Sequence, residues 1–180
     1  PLSVRLIADY SKIDENCCAA VNLRAAAPTF AVRALGGKVN DASRPFADVV
    51  YNNFDSTNKI TNWGGSADIG YDLGAIKLQS ITAYRRTKAI TDQDSDFTSA
   101  DLLNRNFQDL RLKTFTQELR LNANLLEKVN LLLGAYYFNE KIDQSNQLTF
   151  GTQFRPYADL LIRGQSNNAF NLAQVEQLLG

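Results

Sequence analysis

The sequence contains no histidine and no methionine, and it has only two cysteines and one tryptophan. Without histidine, the usual general base and the commonest transition-metal ligand are both missing. No Ser/His/Asp or Cys/His set can be assembled, and the acidic residues are scattered along the chain. We therefore expect no catalytic residue, no metal site and no cofactor, and we expect that the chain is not an enzyme.

An excess of one charge and a long hydrophobic run are also missing. The chain has 19 Lys and Arg residues against 19 Asp and Glu residues, so its net charge gives no reason to expect a nucleic-acid partner. No apolar run approaches the roughly 20 residues of a membrane-spanning helix. The longest run, at 131–138, contains Gly134 and three aromatic residues, which favours a strand over a helix.

The sequence starts directly in a strand-like segment, without an initiator methionine or a signal peptide. At 180 residues it is long enough to bury a sizeable core. We expect it to be an internal fragment of a longer protein.

The two cysteines, Cys17 and Cys18, are adjacent. Their Cα atoms are about 3.8 Å apart, which is closer than an ordinary disulfide prefers. A vicinal disulfide would be permitted at an oxidising cell surface. Two free loop thiols, or partners for cysteines outside this sequence, are the alternatives, and the sequence leaves the redox state open.

Apolar and polar residues alternate with a period of two in several segments, which predicts an all-β, antiparallel fold. In the first segment one face carries only apolar or aromatic residues from Leu2 to Tyr10, whereas most of the residues on the other face are polar. The five predicted strands are residues 2–10, 59–71, 75–91, 113–122 and 129–143.

Long and short connections alternate between these strands. Long polar stretches at 13–58, 92–112 and 144–180 alternate with a tight turn at 72–74, where Gly74 permits positive φ, and a short connection at 123–128. This alternation is typical of a transmembrane β-barrel with long extracellular loops and short periplasmic turns.

Short helices are predicted inside the long stretches. Residues 16–24 or 46–51 are candidates in the first stretch. Residues 168–179 have apolar residues near helical spacing, and Asn167 or Asn168 could cap that helix.

Two motifs suggest chemistry and then fail their patterns. Residues 92–96 have the D-x-D-x-D opening of a calcium loop, but Phe97 and Leu103 stand where glycine and a bidentate glutamate are needed, which excludes an EF-hand. A solvated acidic loop tip is favoured over an improvised cation site. The glycines in Trp63-Gly64-Gly65-Ser66 indicate close backbone approach, a bulge or a barrel kink rather than nucleotide binding.

Aromatic residues cluster within or near the ends of the predicted strands, and this favours an interfacial girdle over an ordinary sandwich core. They are Tyr10, Trp63, Tyr71, Tyr84, Phe115, Tyr136, Tyr137 and Phe138. Glu118 and Arg120 share a face with Thr116 and are predicted to point into a polar lumen. A structural cross-strand ion pair is favoured there over a ligand contact.

A series of blocks resembles successive barrel segments of TonB-dependent outer-membrane receptors, and above all the large set common in sphingomonads and caulobacters. The blocks are RLIADYSK at 5–12 followed by the Cys17-Cys18 loop, LQSITAYR at 78–85, DQDSD at 92–96, TQELRL at 116–121 and LGAYYFNEK at 133–141. The resemblance covers roughly residues 1–143, and the ordered series is more specific than any single block.

The resemblance implies a 22-stranded barrel filled by an N-terminal plug, in the outer membrane of a Gram-negative bacterium. Residues 1–180 would then be a partial barrel domain that lacks the plug, the TonB-contacting box, the remaining strands and the C-terminal strand. The implied partners are the TonB complex, bound through parts of the receptor not in this chain, outer-membrane lipid and a scarce small-molecule ligand, but no nucleic acid. The ligand could be a siderophore, cobalamin, a saccharide or an aromatic compound.

Because exposed loops on a rigid scaffold usually carry recognition, we expect ligand specificity in the stretches 13–58, 92–112 and 144–180. The sequence does not identify individual ligand-binding residues. A non-coupled, porin-like barrel and a soluble β-rich binding module are the alternatives.

Overall fold

The computed structural model describes residues 1–125 and 129–180. Within these residues the chain forms one open, five-stranded antiparallel sheet in which neighbours in sequence are neighbours in the sheet. This confirms the all-β prediction. The strands are β1 Leu2–Asn16, β2 Thr57–Asp72, β3 Ile76–Asp92, β4 Leu103–Leu125 and β5 Val129–Phe150, and the helices are α1 Ala27–Ala34, α2 Phe154–Gln165 and α3 Leu172–Leu179.

All five predicted strands are present, but they are longer than predicted. Strand β4 has 23 residues and β5 has 22, so residues 103–112 and 144–150 are strand rather than loop, as are residues 13–16. Pairing with a neighbouring strand stabilises these polar ends, although they carry no apolar face. The alternation that marks a half-buried strand therefore ends before the strand does.

The tight turn at 72–74 is confirmed. Gly74 has a φ of +89°, and its N–H donates to Oδ1 of Asp72 at 2.8 Å. The backbone N–H of Leu73 closes the turn by donating to the carbonyl of Ile76. The predicted connection at 123–128 is only partly described, because residues 123–125 belong to β4 and residues 126–128 lie outside the described residues.

Helix α1 lies between the two segments where a helix was expected, and the predictions for 16–24 and 46–51 were wrong. Pro28 stands in the first turn, where its missing N–H has no intrahelical acceptor. The hydroxyl of Thr29 accepts the N–H of Ala26 at 3.4 Å. The helix ends before Gly36, whose φ of +79° suits the left-handed residue that commonly follows a helix.

The C-terminal stretch holds one helix that was not predicted and one that was. Pro156 and Gly164 obscure α2 in the sequence. Asn167 and Asn168 lie just after α2 in left-handed conformations and do not cap α3. The cap is Asn171, whose side chain accepts the N–H of Gln174 at 2.9 Å. Across 1–125 and 129–180, no helix is long and apolar enough to cross a membrane.

The chain divides into two compact units. The sheet unit comprises Pro1–Asp14, Lys59–Ile90 and Asp109–Ser145, and the loop unit comprises Glu15–Asn58, Thr91–Gln108 and Asn146–Gly180. A small buried core lies in the loop unit, where Val32, Ala100 and Leu102 pack together with Tyr157 against them. Large apolar side chains of the sheet unit remain exposed.

Candidate functional site

The loop unit contains a pocket of about 370 Å³. Its lining comes from residues 20–39, from 96–102 and from Tyr157. Parts of all three predicted specificity stretches therefore meet around one cavity. This volume lies near the lower end of the roughly 300–1,000 Å³ that ligand pockets span.

The apolar cluster of Val32, Ala100 and Leu102 underlies the pocket, and Val32 and Leu102 also line it. This packing depends on a glycine. A Cβ atom on Gly37 would lie 2.8 Å from Cγ1 of Val32 and 2.9 Å from Cβ of Ala100. The loop after α1 can approach the cluster only because position 37 has no side chain.

The acidic loop at 92–96 is organised around Asp94, which is fully buried. Its carboxylate accepts the backbone N–H groups of Asn53 at 2.9 Å, Asp96 at 3.1 Å and Phe97 at 3.3 Å. Burial raises the pKa of Asp94, and the nearby Asp96 carboxylate adds to that rise, although the three hydrogen bonds oppose it. The prediction of a solvated loop tip was therefore wrong for Asp94.

Phe97 lines the pocket in a left-handed conformation, with a φ of +51°. A bulky residue rarely adopts this conformation, and the hydrogen bond from its N–H to Asp94 helps to hold it there. No local sequence signal marks this position, because D-x-D-x-D followed by phenylalanine matches no binding motif.

Asp96 is the charged side chain in the described wall of the pocket. Its Oδ1 accepts the N–H and the hydroxyl of Thr98 at 3.0 and 2.7 Å, and its Oδ2 accepts the N–H of Leu103 at 2.9 Å. Burial raises the pKa of Tyr157, and the negative charge of Asp96 raises it further. The pocket therefore combines a fixed negative charge with a neutral phenol.

Asp101 joins two of the pocket's segments. Its Oδ2 accepts both the N–H and the hydroxyl of Thr152 at 2.8 Å, and these bonds lower the pKa of Asp101. Gln153 extends the link, because its side chain accepts the N–H of Asp101 at 2.9 Å and donates to the carbonyl of Leu35 at 3.1 Å. The ends of α1, the 93–102 loop and the start of α2 are thus tied together.

Cys17 and Cys18 form a disulfide with a Cα–Cα distance of 3.7 Å. The N–H of Cys17 donates to the carbonyl of Ser56 at 3.2 Å, so the disulfide lies where β1 ends and β2 begins. The sequence had left this pairing open among three possibilities.

One face of the sheet unit carries hydrogen bonds between polar side chains of different strands, although the β5 residues Leu132 and Tyr136 on this face are apolar or aromatic and exposed. Arg85 on β3 donates to both carboxylate oxygens of Asp9 on β1, at 2.9 and 2.6 Å. The pair reaches across β2 at Gly64, where a Cβ atom would lie 2.9 Å from the Tyr84 carbonyl oxygen and 3.4 Å from Cζ of Arg85. Further bonds on this face are Gln79 to Asp68, Thr87 to Asn62 and Thr114 to Glu140.

The glycine motif at 63–66 thus provides close backbone approach, which was one of its predicted roles. The ion pair predicted to cross strands at Glu118 and Arg120 was wrong in its geometry. Arg120 bonds Glu118 at 2.6 Å within β4 itself, because residues two apart on a strand project from the same face.

The opposite face is apolar and exposed. Leu2 is 65% exposed, Leu6 74% and Tyr10 68%. Aromatic rings pair on this face, Trp63 with Tyr84 at 5.5 Å and Phe115 with Tyr137 at 6.2 Å between ring centroids. The remaining large exposed side chains of this face include Val4, Ile69, Tyr71, Ile76, Leu78, Leu119, Leu131 and Leu133.

Within 1–125 and 129–180, no group of three or more histidine, cysteine, aspartate or glutamate residues is placed to hold a metal ion. In the candidate calcium loop the carboxylates of Asp94 and Asp96 accept backbone N–H groups, and Asp92 is paired with Arg105. None of the protein-family models, curated proteins and solved structures with which the chain was compared matches it.

Proposed function

We propose that the chain is part of the β-barrel domain of a TonB-dependent outer-membrane receptor, which imports a scarce small molecule by energy-coupled transport. The observation that carries this proposal is the uncovered apolar face of the sheet unit. A large exposed apolar surface on a protein indicates a partner or a membrane. Its location on alternate residues of every strand matches the lipid-facing side of a barrel wall.

The dimensions of this face support a membrane rather than a protein partner. On β1 it extends from Leu2 to Tyr10, which equals the roughly 9–11 residues of a tilted transmembrane strand. The paired rings of Trp63 and Tyr84 lie at the same end of the band as Tyr10, where interfacial girdles occur.

The opposite face supports the same proposal from the other side of the wall. Its ion pair between Asp9 and Arg85 and its amide and hydroxyl bonds suit a water-filled or plug-filled lumen. Strands β4 and β5 also continue past the apolar band. Since an open edge is not tolerated in lipid, the proposal requires further strands to close the barrel.

Two adjacent residues on opposite faces provide the test. Leu6 and Ile7 are both more than half exposed, so in water a lysine at either position should be nearly neutral. In a bilayer, L6K should lower the free energy of unfolding by about 2–4 kcal/mol near the midplane, whereas I7K should lower it by less than about 1 kcal/mol.

The measurement is urea unfolding of the full-length gene product that contains this chain, folded into phosphatidylcholine vesicles. Equal effects of L6K and I7K would contradict a lipid-facing role for the Leu6 face.

Energy coupling needs a separate test. Uptake of the transported ligand should disappear in cells that lack a functional TonB complex, because the complex supplies the work of import. Uptake that persists in those cells would favour the porin-like alternative, and a monomer that is soluble without detergent would favour a soluble β-rich module.

A further inference from the structure

The pocket of the loop unit has a composition that selects among the ligands such a receptor could take. No lysine or arginine contributes to its described lining. Its charged group is the Asp96 carboxylate, and the buried Asp94 lies close enough for the two carboxylates to interact. A negative, partly desolvated site repels anions, because charges interact more strongly away from bulk water.

Hydrogen-bonding capacity remains on the pocket wall. Among the described residues, no partner accepts from or donates to the Tyr157 hydroxyl. Oδ2 of Asp96 accepts one N–H, from Leu103, which leaves it a further lone pair. Both groups can accept hydrogen bonds from hydroxyl groups of a ligand.

Three further polar side chains, Asn22, Thr29 and Thr98, line the pocket and are hydrogen-bonded within the protein. The rest of the wall is apolar or aromatic. Phe97 and Tyr157 contribute rings, and Val32 and Leu102 contribute the aliphatic floor. A ring held in a strained left-handed conformation at a cavity is characteristic of functional sites, and here Asp94 holds Phe97 in that position.

From these features we infer that the pocket binds a small neutral saccharide. A sugar ring has C–H groups on its faces, which pack on Phe97 and Tyr157, and hydroxyl groups at its edge, which donate to Asp96 and Tyr157. Charge complementarity excludes carboxylate-rich ligands. The biological role of the site rests on the proposed receptor function, but the binding itself is measured separately from transport.

The test is titration calorimetry on the full-length gene product in a detergent without a sugar headgroup. The probes are maltose and the matched pair glucose and glucuronate, which differ in one carboxylate, with citrate as a second anion. We expect saturable binding of maltose, and binding of glucose that is at least tenfold tighter than that of glucuronate. D96N should narrow the difference between glucose and glucuronate.

Variants locate the site. F97A should weaken maltose binding at least tenfold, while F46A, which removes a ring that is 90% exposed and outside the lining, should leave it unchanged. V21W fills the pocket from another segment and should abolish binding, so it decides the outcome if F97A does not fold.

Absence of saccharide binding, tighter binding of citrate or glucuronate than of maltose, or full binding by V21W would overturn the inference. Maltose binding without TonB-dependent uptake would contradict the proposed function but support saccharide binding in the pocket. TonB-dependent uptake of another ligand that is unaffected by V21W would support the proposed function but contradict the role of the pocket.

Discussion

Gly64 shows how one residue can control the contact between two strands that are not neighbours. The pair of Asp9 and Arg85 spans β2 because position 64 has no side chain. The sequence indicated close backbone approach at this motif but did not identify which of the two glycines provides it. The answer depends on which face each glycine occupies and on what stands opposite.

The neighbouring glycines make a matched pair for mutation. G64A places a Cβ atom 2.9 Å from the carbonyl oxygen of Tyr84, whereas in G65A the nearest atom, the Ile7 carbonyl oxygen, is at an ordinary 3.5 Å. We expect G64A to lower the free energy of unfolding by about 1–3 kcal/mol, as overpacking does, and G65A to change it by less than 1 kcal/mol or so. Urea unfolding of both variants checks this, and equal effects would contradict the assignment.

Asp101 provides a pH-dependent contact. Its folded-state pKa lies below the ordinary value of 3.8 because Thr152 donates two hydrogen bonds to it. A lowered carboxyl pKa contributes stability that is present above the ordinary pKa and is lost as pH falls through the lowered one. The link between the 93–102 loop and the start of α2 should therefore begin to weaken as the pH falls below the ordinary carboxyl pKa, and it should be lost as the pH falls through the lowered pKa of Asp101.

The variant D101N should increase hydrogen exchange at the Thr152 amide near pH 7, and this difference from the unmodified protein should shrink as Asp101 protonates. D55N, at an exposed position of the same unit, is the control for the loss of a negative charge. An exchange rate for D101N that matches that of D55N at neutral pH would contradict the role of Asp101.

Among the elements, the strands were easier to predict than the helices. Period-two alternation identifies the first four strands, because one face of each is less polar over its central residues, and the apolar, aromatic-rich run at 131–138 identifies β5. These patterns fail at the ends of β4 and β5, where strand pairing continues through polar residues. Helix α2 was missed because Pro156 and Gly164 interrupt its pattern, although a proline within the first helical turn breaks no hydrogen bond.

The capping of α3 is a testable property of an element. Asn171 accepts the N–H of Gln174, and the side chain of Gln174 accepts the N–H of Asn171, which is a reciprocal capping box. We expect N171A to destabilise α3 by about 1 kcal/mol. Hydrogen exchange of the α3 amides measures this, with Q177A, an exposed position in the same helix, as the control. Equal protection in the two variants would show that the cap contributes nothing.

For the whole molecule, the dominant property is the balance between a small core and a large exposed apolar surface. The buried hydrophobic side chains of the described residues are few and small, whereas Leu2, Leu6 and Tyr10 on the apolar face are each about two-thirds exposed or more. In water such a surface drives association. In a bilayer it is matched to its surroundings.

We therefore expect the full-length gene product to fractionate with membranes and to require detergent for solubility. The measurement is intact mass together with size-exclusion chromatography, with and without detergent. A detergent-free monomer of about 20.0 kDa would contradict the barrel proposal. It would show that the apolar face that contains Leu6 does not need lipid or detergent to stay in solution.

Local sequence pattern is sufficient for the all-β class, the five strands, their order of long and short connections and the turn at Gly74, because side-chain alternation and turn chemistry act over a few residues. The tertiary structure decides the burial of Asp94, the extension of β4 and β5, and the assembly of the pocket around Phe97 and Tyr157. These features depend on contacts such as that of Gln153 with Leu35, between residues far apart in the chain, and no local pattern encodes which distant group will satisfy a buried carboxylate or form a pocket wall.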